Sequence, residues 1–107
     1  MTRTELYIKL LNKFGEEKQM LKCVEELNEL AQAICKYMSP CFRDSSKYEE
    51  KGIENIIEEI SDVEIMIEQL KFILNINDDD VRKMKNYKLH RTAEKFGLNE
   101  NGGVNND

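Results

Sequence analysis

With 107 residues the chain is long enough for one domain and too short for two. A 40% hydrophobic content supplies a core and 35% charged residues a large wet surface, while no apolar run approaches the roughly 18 residues of a membrane span. The net charge of −5 argues against a nucleic-acid binder, and an anionic ligand would need a bridging cation.

Sparse glycine and the lone Pro40 point to an all-α chain. The opening MTRTELYIKLLNKF is amphipathic and contains Glu5, so it reads as a helix and not as a secretory signal. Leu6, Ile8, Leu10, Leu11 and Phe14 carry it, Thr4 is its expected N-cap, and Gly15 breaks it. A second helix, EEKQMLKCVEELNELAQAICKYM, has an apolar stripe at Met20, Val24, Leu27, Ala31, Ile34 and Met38, and Ser39-Pro40 ends it. Residues 39–52, SPCFRDSSKYEEKG, show no periodicity and read as a long loop closed by Gly52; such loops are more often functional or mobile than idle. A third helix is expected from Ile53 to Asn75. A fourth is expected from Asp80 to Phe96, capped by Asp78 or Asp79 and stopped by Gly97. The expected architecture is one antiparallel bundle of about four helices over residues 1–97, with a disordered tail over 98–107. Cys23, Cys35 and Cys41 form no CxxC pair and read as reduced thiols of a cytoplasmic protein.

On the third helix, Ile56, Ile60, Val63, Ile67 and Leu70 share one face at about 100° per residue. Ile65 and Phe72 lie nearly opposite, and Ile65, Met66, Phe72 and Ile73 make an apolar girdle. A helix apolar on most of its circumference is central or packs against a second subunit. With four helices available, an oligomer is the expectation.

Two acidic clusters stand on successive helices. Glu59 and Asp62 are one turn apart on a face that continues as Met66 and Ile73, while Glu58 points to the other side. Two such charges about 4 Å apart repel by about 4 kcal/mol at an effective dielectric near 20, a penalty that calls for a cation. Glu26 and Glu29 repeat the spacing on the second helix, with Glu25 on their flank. By periodicity alone these acids share a stripe with Lys22 and Ala33, as on a solvated face, with Glu29 in reach of Lys22 or Lys36. Taken jointly, two antiparallel helices could each turn two carboxylates inward. Oxygen-only ligands select a hard cation such as Mg²⁺, for which Mn²⁺ can substitute, and through it an acidic protein can take a phosphate-bearing substrate.

EELNE followed by EISD resembles the E-E-x-x-E … E-x-x-D signature of the MazG-like, all-α nucleoside triphosphate pyrophosphohydrolases. The likeness covers roughly residues 10 to 92 and includes KFGEEKQMLKCVEELNELAQAICKY and NIIEEISDVEIMIEQLKFIL. It implies that Glu26, Glu29, Glu59 and Asp62 ligate Mg²⁺ and that Glu25 is an acid just outside the ligand set or helps to orient the attacking water. It also implies hydrolysis of nucleoside triphosphates to monophosphate and pyrophosphate by homodimers or homotetramers. Residues 30–58, between the motifs, are longer than in the most compact members, which leaves base recognition open. VRKMKNYKLHR holds Lys85, Lys88 and Arg91 on one face. They read either as a solvated helix end or as a clamp on triphosphate oxygens, and the resemblance favours Lys88 and Arg91 for the clamp. His90, Tyr87, Phe42, Tyr48, Asn86 and Asn55 carry no local signal of a role. The alternative reading of the whole chain is a non-catalytic helical interaction or regulatory module.

Overall fold

The computed structural model describes residues 1–39, 46–98 and 104–105, and every regular element among them is a helix. These are α1 (Arg3–Phe14), α2 (Glu16–Met38), α3 (Ser46–Leu74) and α4 (Asp78–Lys95). The all-α expectation holds, and no described helix is long and apolar enough to cross a membrane.

The cap of α1 is Thr2, two residues before the expected Thr4. Only Thr2 has a glutamate three residues on. The Glu5 N–H donates to Thr2 Oγ1 at 3.1 Å and the Thr2 N–H to Glu5 Oε2 at 3.2 Å, a reciprocal capping box. Gly15 then serves two helices. Its N–H donates to the Leu11 carbonyl at 2.9 Å and its own carbonyl accepts from Gln19 N–H at 3.2 Å. It does so at φ 86°, ψ 162°, a conformation open essentially to glycine alone.

α2 and α3 form the antiparallel hairpin on which the unit Met1–Leu74 is built. On α2 the buried residues are Gln19, Cys23 and Glu26, and half-buried Leu30, Ala33 and Tyr37 continue their line at alternating three- and four-residue steps. On α3 Gly52, Val63, Met66 and Gln69 are buried, with Ile56, Glu59, Asp62, Leu70 and Ile73 half-buried beside them. This seam is not the stripe that hydrophobicity marks out. Val24, Leu27, Ile34 and Met38 of α2 and Ile60 and Ile67 of α3 are exposed instead. Each helix carries two faces, and the mixed one with small and polar groups makes the contact within the chain. The girdle narrows accordingly: Met66 belongs to the seam, whereas Ile65 and Phe72 are exposed.

The exposed aliphatic residues lie roughly a quarter turn from the seam on both helices. Because the helices run antiparallel, both stripes turn to one side of the hairpin, and Glu29 and Asp62 turn to the other. α1 lies along that second side. Leu10 and Phe14 border a groove of about 340 Å³ with Lys18, Gln19, Lys22, Met66 and Gln69. Arg3 Nη1 meets Glu68 Oε1 at 2.9 Å, and buried Tyr7 donates its hydroxyl to Glu68 Oε2, fastening α1 to α3. Burial first, and then the Glu68 hydrogen bond, raise the Tyr7 phenol above its ordinary value.

The expected loop 39–52 is corrected over 46–52, which are the first two turns of α3. No apolar stripe announces them, but YEEK favours helix, and Tyr37 of α2 donates to Glu49 Oε1 at 3.3 Å. Residues 40–45 of that expectation, with Cys41 and Phe42, lie outside the described residues.

Asn75–Asp107 is a second compact unit. Asn77, and not Asp78 or Asp79, caps α4, its side chain accepting the Asp79 N–H at 2.8 Å. The three aspartates occupy the first turn, where they suit the helix dipole. At the other end Gly97, at φ 66°, follows the helix, and the Leu98 N–H returns to the Ala93 carbonyl at 2.8 Å. Of the tail expected to be disordered, 99–103 and 106–107 lie outside the described residues. The Val104 N–H donates to His90 Nδ1 at 3.4 Å.

Candidate metal centre

Glu26 and Glu29 are one turn apart on α2, and Glu59 faces them from α3. One carboxylate oxygen of each lies within 4.8 Å of the others. Oxygens bound to a single Mg²⁺ sit about 3 Å apart, so modest rotamer changes would bring the three onto one ion. The seam explains the meeting: both Glu26 and Glu59 fall on the faces through which the helices touch.

The three carboxylates differ in setting. Glu26 is 7% exposed, which corrects the solvated-face reading of its stripe. Lys22 reaches its Oε1 at 3.1 Å, while its Oε2 is buried without a hydrogen-bond partner. Glu59 is half-buried, and its Oε2 is likewise buried and unpartnered. Glu29 is the most open of the three. An orphaned carboxylate oxygen is expensive, and two from different helices beside a third carboxyl form a donor set that a divalent cation fits.

Charge crowding is visible in the proton affinities. Glu29 is raised above its ordinary value, chiefly by its hydrogen bond with Glu26, then by the charge of Glu26, by desolvation, and by Glu59 and Glu25. Glu59 is raised first by desolvation and then by the charges of Asp62, Glu26 and Glu58, with the hydrogen bond from Glu29 working the other way. Both shifts run upward, as expected of like charges sharing a site. Lys22 is raised as well, mainly by its hydrogen bond to Glu26.

Of the remaining residues singled out from the sequence, Asp62 is half-buried one turn beyond Glu59 and is not one of the three that converge, although its charge acts on Glu59. Glu25 is exposed, its Oε2 at 3.6 Å from Lys22 Nζ. Glu58 is exposed, as its helical phase requires. Lys22 pairs with Glu25 and Glu26, not with Glu29. Lys85, Lys88 and Arg91 are all exposed on α4, with the Arg91 guanidinium 5.7 Å from the centre of the Tyr87 ring. The sequence put Lys22 in reach of Glu29, and its pairing with Glu26 was missed although the i,i+4 spacing signals it. The Arg3–Tyr7–Glu68 trio had no such signal, since 61 or more residues separate its partners.

No family model, no curated protein and no solved structure matches the chain.

Proposed function

We propose that this protein is a Mg²⁺-dependent nucleoside triphosphate pyrophosphohydrolase of the MazG-like kind, cytoplasmic and acting as a homodimer or homotetramer. The observation that carries the reading is the convergence of Glu26, Glu29 and Glu59 from two helices, with two buried carboxylate oxygens unpartnered. Those three residues would hold the cation, and Asp62, one turn from Glu59, would complete the set directly or through a water. When bound, the cation lowers the pKa of a water and offsets charge on the phosphates. Glu25, at the rim, would act from outside the ligand set or help to orient the attacking water. By the resemblance alone, Lys88 and Arg91, with Lys85 on the same helix face, are assigned to triphosphate oxygens. Attack at the α–β phosphoanhydride yields monophosphate and pyrophosphate.

A panel of canonical and damaged nucleotides with Mg²⁺, assayed for pyrophosphate against inorganic phosphate, tests this. Pyrophosphate release that stops with chelator is expected. Absence of turnover across the panel would favour the second reading, a helical interaction module, which rests on the exposed aliphatic side of the α2–α3 hairpin.

A further inference from the structure

We propose that Lys22 is a tethered counter-cation of the acidic centre, which holds Glu26 while no divalent cation is present and is displaced to an anionic ligand when one enters. This rests on the metal-centre reading above.

Lys22 Nζ lies 3.1 Å from Glu26 Oε1 and 3.6 Å from Glu25 Oε2. The two ends of this pair are unlike. The Glu26 side chain is 9% exposed and the Lys22 side chain 49%, so a half-wet ammonium reaches in to the most buried carboxylate of the cluster. The pair leaves Glu26 Oε2 without a partner, so the lysine meets only half of what that carboxylate requires. A divalent ion seated among Glu26, Glu29 and Glu59 would lie within a few ångströms of the ammonium, and like charges at that separation repel. The lysine is the partner free to move, because its stem is flexible and largely in water. It has somewhere to go. Lys18, one turn earlier, borders with Lys22 the groove that Leu10 and Phe14 of α1 close, so a departing Lys22 joins a second ammonium on the side where the carboxylates open. Two lysines one turn apart beside carboxylates that would hold a cation suit a polyanion such as a chain of phosphates.

The test uses Mn²⁺ alone, followed by loss of its free-ion spin-resonance signal, and then inorganic triphosphate. The full-length chain, Lys22→Met, Lys22→Gln and Glu59→Gln are compared, with folding checked by circular dichroism. Both Lys22 variants are expected to bind Mn²⁺ about fivefold tighter than the parent, the upper end of what one partly exposed ion pair is worth. With Mn²⁺ saturating, they are expected to bind inorganic triphosphate more weakly than the parent does. Mn²⁺ affinity equal to or below the parent's in folded Lys22 variants overturns the proposal while leaving the centre intact, provided Glu59→Gln loses the ion. Failure of the parent itself to bind Mn²⁺ overturns both.

Discussion

Glu26 is the side chain that a stability-minded sequence would not place where it is. It is buried in a helix–helix seam, with one oxygen held by Lys22 and the other by nothing. Its neighbours Glu59 and Glu58 make the sharpest comparison, being adjacent in sequence and about 100° apart around α3. Glu59→Gln should abolish pyrophosphate release with the helix content unchanged. The loss should exceed the roughly 10–100-fold that removing a group behind a metal ligand costs, since a neutral amide both removes charge and binds Mg²⁺ poorly. Glu58→Gln should retain most activity; dead Glu58→Gln beside active Glu59→Gln would show that the wrong face has been assigned. The raised Glu29 and Glu59 carboxyls predict a pH dependence as well. Both hold protons more tightly folded than unfolded. Their stabilisation is therefore present below the ordinary carboxylate range and is lost as pH rises through the raised folded values. In chelator the melting temperature should fall as pH rises above the ordinary carboxylate range, and saturating Mg²⁺ should flatten or reverse that slope, because the ion needs the deprotonated cluster. A chelated protein whose melting temperature rises over that window would contradict the crowding.

Between elements, the chain depends on one backbone conformation. Gly15 joins α1 to α2 at positive φ, and an added Cβ would meet nothing, so any cost of Gly15→Ala comes from the backbone alone. That cost should be on the order of 1–3 kcal/mol, seen as a lower midpoint in urea unfolding with the slope unchanged. A neutral substitution would mean that α1 can leave the hairpin freely. Helix number, the Gly15 break and the inward phase of Glu59 were legible in the sequence, because glycine and a three-to-four spacing are local signals. Which face of α2 meets α3 was not legible. Val24, Leu27, Ile34 and Met38 are the more apolar choice, and nothing within α2 says that this side is the one left out of the hairpin. The start of α3 at Ser46 was hidden for a related reason: its first turns are helical by propensity and by the Tyr37–Glu49 contact, with no stripe to mark them.

For the molecule as a whole, no described side chain is fully buried, and a column of aliphatic residues on one side of the hairpin faces water in the single chain. Monomeric proteins rarely leave such a surface open. Light scattering should accordingly give at least a dimer, and Leu27→Glu with Ile60→Glu should dissociate or unfold it. A folded, active monomer of 12.6 kDa would refute that. The acidic residues open toward the other side, so association and ion binding should be separable by mutation. One consequence of the hairpin concerns time. Glu26, Glu29 and Glu59 all sit on two helices consecutive in the chain, so their meeting requires only that this hairpin close, an early and local event by contact-order reasoning. An ion that binds three groups assembled so early stabilises the folding transition state nearly as much as the native state. At about 100 times its Kd, Mg²⁺ should add about 2.7 kcal/mol of stability, and most of it should appear as faster refolding. Refolding rates that ignore the ion, with all of its effect in slower unfolding, would mean that the carboxylates come together last.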